Sequence, residues 1–386
     1  MTTVLVSAGD ASGDPYAAAL VAALGSRVPG ARFLALAGDA TRAAGAELIV
    51  HQREIAVGGL FEVAGSLRRI VASWRAMNRA IRRERPALAI LIDTADFNIP
   101  LARRLTRAGV PVLYYVLPQV WAWRRGRIGK LAARSSRRAV IFPFEVDEYA
   151  RAGVDVEYVG HPLAERLREF RAPEAGEALR EELEQPKGAP LLALLPGSRR
   201  NEIAYQLPLQ LATARALQRE LPELRCVLPL APSVEPSQVQ RVLDRTGEAS
   251  PPVTLIAGRA WDALAASDAA LAKPGTVTLE AALLGCPLVA GGRGHPLSAA
   301  IARRLIDVPA WAMPNLIAGE RVVPEFLQDE AKPETMAEAL ATLMVDGPAR
   351  AAQLAGLERV RQRVGGGDAT ARVCAIAEEL LGSARP

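Results

Sequence analysis

Three glycine-bearing turns in the sequence each follow an apolar run and precede a stretch of helical spacing. Glycine lets a backbone approach an anion closely, and a helix start offers N–H groups with no partner of their own. The turns differ in chemistry. Residues 8–14, AGDASGD, bring Asp10, Ser12 and Asp14 together. Two carboxylates repel a pyrophosphate, and the string is not Gly-x-Gly-x-x-Gly, so this turn suits hydroxyl groups. Residues 194–203, LLPGSRRNEI, set Ser198, Arg199 and Glu202 just past a buried run. An arginine there can pair with a diphosphate through two parallel hydrogen bonds. Residues 271–285, LAKPGTVTLEAALLG, turn at Lys273, Pro274, Gly275 and Thr276 and carry Glu280 one helical turn later. Amides near Thr276 would face phosphate, while Glu280 could accept from ribose hydroxyls. Singly, each turn also fits an ordinary strand-to-helix junction capped by Ser or Thr, and Arg199 an ordinary surface ion pair. Together they point to a nucleotide.

Strands alternating with helices must position these turns. The spacing predicts strands at Thr3–Ala8, 32–36, Leu88–Ile92, 112–116 and 139–142, with helices over 16–24, 67–83 and 100–108. A polar passage over 172–190, rich in Pro and Glu, precedes a second series at Leu191–Leu195, 226–229, 253–256, Ala269–Ala272 and 287–290. Residues 333–381 read as helical, interrupted at Gly347-Pro348 and at Gly365-Gly366-Gly367. The alternation implies an α/β chain of two Rossmann-like parallel-sheet domains facing a central cleft. The expected divisions are 1–170, 187–345, and C-terminal helices over 346–386 packing across both. Ligands of open parallel sheets sit at the carboxyl ends of strands, which places the expected site in that cleft.

The 386 residues suit two domains, and with 50% apolar and 23% charged residues the chain can bury two cores and is not disordered. No secretion signal and no long uncharged apolar stretch is visible, so a cytoplasmic protein is expected. Cys226, Cys286 and Cys374 lie far apart without a Cys-x-x-Cys pair, which argues for core residues over a disulfide framework or a metal site. The net charge of +5 is unevenly spread: residues 99–140 hold ten Lys or Arg and no Asp or Glu, and residues 68–85 hold seven arginines. Beside the second stripe, Leu60, Phe61, Val63, Leu67, Ile70, Val71 and Trp74 share one helical face. That is the composition of an interfacial helix on anionic lipid, and equally of a core-packed helix with a solvated basic face. Tyr114, Tyr115, Trp121 and Trp123 interleave with the first stripe, yet the signatures of RNA-binding modules are absent, so no nucleic acid partner is expected.

Read together, the turns resemble those of the lipid-A-disaccharide synthase family, inverting glycosyltransferases of the two-domain GT-B type. The likeness runs nearly end to end: AGDASGD (8–14), IDTADFN (92–98), YYVLPQVWAWRRGR (114–127), PFE (143–145), YVGHPL (158–163), LLPGSRRNEI (194–203), GTVTLE (275–280) and PNLIAGERVVPEFLQ (314–328). PQVWAWR and PNLIAG-x-x-x-VPE-x-LQ are its specific strings. The resemblance implies transfer of 2,3-diacylglucosamine from UDP to the primary hydroxyl of 2,3-diacylglucosamine 1-phosphate, forming the lipid A disaccharide 1-phosphate and UDP. It implies no cofactor and no metal. Asp96 matches the family's catalytic base, with Asp10 as a second catalytic carboxylate where the family usually has Glu. Capping a helix that begins near Pro100 is the alternative role for Asp96.

Substrate contacts implied by the likeness are Ser12, Asn98, Gln119, Trp121, His161, Asn315 and Gln328. A structural turn histidine is an equal reading of His161. The UDP contacts are Ser198, Arg199, Glu202, Lys273, Gly275, Thr276 and Glu280. Lys273-Pro274 departs from the family's usual small residues and would add a charge contact. The implied partners are a UDP-sugar donor, an acylated sugar-phosphate acceptor and the cytoplasmic surface of the inner membrane, with a homodimer among the allowed assemblies. The competing readings are a sugar-nucleotide epimerase or peptidoglycan-type transferase of the same fold, and a nucleotide-sugar-binding protein without catalysis.

Overall fold

The structure, a computed structural model, describes residues 2–55, 63–119, 125–231, 234–246, 251–294 and 308–383. Packing divides the chain into one unit of Met1–Glu165 with Gly366–Pro386 and another of Arg166–Gly365. Each is built on a parallel sheet.

The first sheet holds β1 (Thr3–Ala8), β2 (Arg32–Ala37), β3 (Glu47–His51), β4 (Leu88–Ile92), β5 (Val112–Tyr115), β6 (Arg137–Val140) and β7 (Glu157–Tyr158). Among the described residues its order is β3-β2-β1-β4-β5-β6-β7. The second holds β8 (Leu191–Leu195), β9 (Arg225–Leu230), β10 (Val253–Ala257), β11 (Ala269–Ala272), β12 (Leu288–Gly292) and β13 (Glu325–Leu327), in the order β10-β9-β8-β11-β12-β13. Both orders reverse once, between β1 and β4 and between β8 and β11. At such a reversal the following connections run to opposite faces and leave a crevice at the carboxyl ends. The apolar runs of β4, β8 and β11 are buried along their whole length because helices cover both faces. The second unit's core interleaves Leu192, Leu194 and Leu271 with Leu207, Leu211 and Leu340 of covering helices. All three cysteines are buried thiols.

The edges depart from the sequence reading. Strands β3, β7 and β13 were not expected, since short strands interrupted by polar residues such as Glu47, Glu157 and Glu325 lack a continuous apolar signal. Part of the polar passage over 172–190 is the helix Ala172–Glu182, which starts with Pro173 in its first turn and buries only Gly176 and Leu179. The helix expected from Pro100 starts earlier, at Ala95, with Pro100 inside its early turns. Near the C-terminus, Pro348–Val364 packs in the second unit and Ala369–Ser383 lies against Asp14–Arg27 of the first.

Asp14, at the end of the AGDASGD turn, serves the scaffold. Its buried carboxylate accepts from the amides of Gly38 (2.8 Å), Ala40 (3.0 Å) and Thr41 (3.2 Å) and from the Thr41 hydroxyl (2.5 Å). It thereby holds the turn after β2 against the first helix, where the sequence reading had grouped it with Asp10 in the β1 turn. Asp14→Ala strands those amides in the interior and should lower unfolding free energy by about 3 kcal/mol in urea titration. Unchanged stability would show that water replaces the carboxylate.

Candidate active site

At the reversal of the first sheet, the turns after β1 and β4 interlock. The Gly9 amide donates to Thr94 Oγ1 at 3.2 Å. A Cβ at Gly9 would come within 2.6 Å of both Ile55 Cδ1 and Thr94 Cγ2, so this approach requires glycine. Beyond it Asp10 folds its own turn, accepting from the Gly13 amide at 2.9 Å and from the Ser12 hydroxyl at 3.0 Å. After β4 the backbone takes left-handed values at two successive non-glycine residues, Asp93 (φ 44°) and Thr94 (φ 45°). Each costs on the order of 1–3 kcal/mol and persists only where the surroundings over-determine it.

Here they do. The Asp93 carbonyl accepts from Asn98 Nδ2 at 3.0 Å and from the Tyr114 hydroxyl at 2.8 Å, while its amide donates to the Val116 carbonyl at 3.1 Å. Asn98 Nδ2 also meets the carbonyls of Ile92 (3.0 Å) and Ser7 (3.2 Å), and its Oδ1 accepts from Ser7 Oγ at 2.7 Å. Asn98 is fully buried, so the amide expected to touch substrate is spent joining β1 to β4.

Asp96 follows in the first turn of the helix Ala95–Arg107, which favours a negative charge. Its side chain is 75% exposed, and Oδ1 accepts from Arg127 Nη1 at 2.7 Å. Burial, and then the charge of Asp10, push the Asp93 carboxyl up to about 6, against a bond from the Thr94 backbone. The sequence reading passed over Asp93, which offers no pattern beyond its place two residues before Ala95. Gln119 is exposed beyond β5, and Trp121 lies outside the described residues. His161 is buried between Phe142 and Tyr16, with ring centroids at 5.0 and 6.3 Å. Its Nδ1 accepts from the Leu163 amide at 3.0 Å, and burial lowers it to about 3, so it is a neutral turn histidine.

At the reversal of the second sheet, Glu202 joins the other two turns. Its Oε2 accepts from the amides of Ser198 (3.0 Å) and Arg199 (3.2 Å), and its Oε1 accepts from Lys273 Nζ at 3.0 Å. Gly197 has φ 119°, and a Cβ there would collide with this carboxylate. Burial raises the Glu202 pKa, but the Lys273 bond and charge, the Ser198 amide and Arg199 outweigh it and hold the group below the ordinary carboxylate range. Lys273, expected to meet phosphate, therefore already has an anionic partner. Arg199 is 80% exposed, with Nη1 3.6 Å from Glu202. Gly275 precedes the helix Thr276–Leu284, and no side chain caps its first amides. Glu280 lies on that helix. Burial raises its pKa, against a hydrogen bond from the Trp261 side chain and the charge of Arg166.

Asn315 is buried and closes its own loop: Nδ2 donates to the Val323 carbonyl (2.8 Å) and Glu325 Oε1 (2.6 Å), and Oδ1 accepts from the amides of Val322 and Val323, both at 2.8 Å. Like Asn98, it is a positioning residue by geometry. Gln328, left-handed at φ 55°, stands at the end of β13, where its Oε1 faces the Gly294 amide at 3.4 Å.

A model of the lipid-A-disaccharide synthetase family matches residues 4–378. The chain belongs to the lipid-A-disaccharide synthase family. A lipid-A-disaccharide synthase from Myxococcus xanthus is 41% identical over 378 residues, covering 98% of this chain and 97% of that protein. The architecture is the GT-B type. A UDP-GlcNAc 2-epimerase from Neisseria meningitidis, solved bound to UDP-GlcNAc, superposes with a TM-score of 0.66 at 11% identity, covering 98% of this chain and 100% of that one. MurG from Acinetobacter baumannii superposes at 0.62 with 15% identity and the same coverage. Family membership decides against a non-catalytic binding protein: the chain is a glycosyltransferase of lipid A biosynthesis.

If Glu202 organises the turn after β8, Glu202→Ala should speed hydrogen exchange at Ser198 and Arg199 by about ten-fold or more, read by mass spectrometry. A carboxylate held below its ordinary range gives stability above that range and loses it as pH falls through the folded value. Acidification should therefore open the same turn in the wild-type protein. Equal exchange in the variant would assign the turn to its backbone alone.

Proposed function

We propose that the chain transfers 2,3-diacylglucosamine from UDP to the primary hydroxyl of 2,3-diacylglucosamine 1-phosphate, with inversion, yielding the lipid A disaccharide 1-phosphate and UDP. The observation that carries this reading is family membership over residues 4–378 combined with two sheet reversals of opposite chemistry. One presents carboxylates, Asp10, Asp93 and Asp96; the other presents amides, Arg199 and Lys273. A hydroxyl acceptor suits the first and a nucleoside diphosphate the second.

In this scheme Asp96 takes the proton of the acceptor hydroxyl as its oxygen bonds to the anomeric carbon. The bond from that carbon to the diphosphate breaks on the opposite face, and the electron pair leaves with UDP. Arg127, 2.7 Å from Asp96, keeps the carboxylate aimed, at the cost of competing for its lone pairs. UDP departs with extra negative charge, which Arg199, Lys273 and the uncapped amides at Thr276 stabilise, while Glu280 takes the ribose. Ser12, Gln119 and Gln328 border the acceptor and donor sites.

The substrates carry acyl chains, so the acceptor unit should rest on a membrane. Among the described residues no helix is long and apolar enough to cross one. In the helix Val63–Glu84, Met77 and Ile81 are core-packed, whereas Leu67 is 59% and Val71 37% exposed among arginines. The core-packed reading thus holds for Met77 and Ile81, while the exposed Leu67 and Val71 suit the lipid reading proposed here; Phe61 lies outside the described residues. Trp74 on the same helix packs edge-on against Phe97, next to Asp96, with ring centroids 5.6 Å apart.

Incubation with both diacylated substrates should release UDP and a β-linked disaccharide, identified by mass. Asp96→Ala should lower kcat by about 10²–10⁴-fold while UDP affinity stays nearly constant. Full turnover in that variant would remove Asp96 from the chemistry. Leu67→Ser with Val71→Ser should cut co-sedimentation with anionic liposomes by about ten-fold. Undiminished sedimentation would move the lipid contact elsewhere.

A further inference from the structure

We propose that Arg293, at the carboxyl end of β12, binds the outer phosphate of the nucleoside diphosphate donor and so carries the anion site one strand beyond the turns after β8 and β11. This role rests on the nucleotide-donor reading. The sheet order places β12 directly beside β11, with Ala272 opposite Ala290, so the chain after β12 leaves the sheet at the same edge as Lys273 and Gly275. Neighbouring strands are about 4.8 Å apart, a gap that an arginine's stem spans. The inner phosphate of a nucleoside diphosphate is tied to the ribose, which Glu280 takes in that reading. The outer one can extend along the edge toward β12.

Neutral groups build Arg293 into its place. Gln206, buried in the helix Arg200–Gln218, holds both of its backbone groups: Nε2 donates to the Arg293 carbonyl at 2.5 Å, and Oε1 accepts from the Arg293 amide at 3.2 Å. A Cβ at Gly292 would stand 3.0 Å from that Oε1, so the glycine lets the amide close on the strand end. The side chain is tied as well, since Arg293 Nε donates to the Gln328 carbonyl at 3.2 Å. Gln328 follows β13, whose Leu327 pairs with Gly292, and it keeps a left-handed φ of 55° that a non-glycine residue adopts at a cost. With Nε engaged, the two terminal nitrogens remain, the pair that forks onto a phosphate.

Charge sets Arg293 apart from its neighbours. Lys273 lies 3.0 Å and Arg199 3.6 Å from Glu202, so each gives up part of an ion pair to meet a phosphate. Among the described residues Arg293 has no carboxylate partner; its bonds run to an amide side chain and a backbone carbonyl. An incoming phosphate therefore forms a new ion pair there and exchanges none, and a guanidinium already tied at Nε loses little freedom on binding.

The test is calorimetric titration of UDP, and of UMP, which lacks the outer phosphate, into the wild type, Arg293→Gln and Arg293→Lys. Gln206 bonds only the backbone of Arg293, whose side chain is exposed, so both variants should melt as the wild type does. Arg293→Gln should weaken UDP binding by about ten-fold and leave UMP binding unchanged. Arg293→Lys, which keeps the charge without the fork, should fall between the two. Equal UDP affinity in Arg293→Gln and the wild type would overturn this role, as would equal losses for UDP and UMP; either result leaves the nucleotide-donor reading intact, because the wild type still binds UDP. A wild type that binds no UDP would overturn that reading and this role with it.

Discussion

The amide of Asn98 is the contact on which the crevice of the first unit depends. The backbone ladder pairs β1 with β4 as far as Ala8 and Ile92, but it leaves a gap between the turns that follow them. Asn98 closes it, taking carbonyls from Ser7, Ile92 and Asp93 and the Ser7 hydroxyl onto one buried side chain. Because these bonds are made inside the protein, losing any partner leaves a buried polar group unpaired, at about 1–3 kcal/mol. That penalty is of the size needed to hold Asp93 and Thr94 left-handed. The position of Asp96, in the helix that starts immediately afterwards, follows from it.

The second unit solves the same problem differently. There the side chain that spans the reversal is charged: Glu202 ties the amides after β8 to Lys273 after β11. Deeper in the helix Arg200–Gln218, which carries Glu202 in its first turn, Gln210 donates to the Leu271 carbonyl at 3.1 Å, and Gln206 exchanges bonds with the backbone of Arg293 beyond β12. One helix thus fixes the ends of three neighbouring strands. A neutral amide suits the first unit, whose turn already carries carboxylates; a carboxylate suits the second, where cationic and N–H groups gather.

Much of this was legible in the sequence where burial is two-sided. The runs Leu191–Leu195 and Ala269–Ala272 are apolar throughout and coincide with β8 and β11. The edge strands were not legible, because a strand such as Glu47–His51 alternates partly exposed residues that mimic a loop. The motifs pointed to the candidate site, yet could not sort its residues. In AGDASGD, Asp10 and Asp14 are chemically identical and four positions apart, but one closes its own turn and the other anchors residues 38–41. Asn98 and Asn315 look like ligand-binding amides in one dimension, since a string does not say whether a backbone carbonyl lies within reach. Asp93 was overlooked for the converse reason: its strain and its like-charged neighbour exist only in the folded chain.

Lys273 shows how a departure from the family's usual residues can leave a site's electrostatics nearly unchanged. An added lysine at an anion-binding turn would ordinarily strengthen the field toward a diphosphate. Here Glu202 neutralises it at 3.0 Å, so the pair presents little net charge. The field that remains comes from the amides leading into Thr276–Leu284, whose direction the backbone sets, and from the exposed guanidinium of Arg199. An approaching diphosphate would compete with Glu202 for Lys273, and the exchange gains only the difference between two similar ion pairs. Glu202 in turn still holds the Ser198 and Arg199 amides after losing Lys273, so the turn need not open when the lysine moves. In the proposed reaction the lysine would therefore be a reserve charge for the moment when the leaving group becomes more negative, contributing little to ground-state affinity.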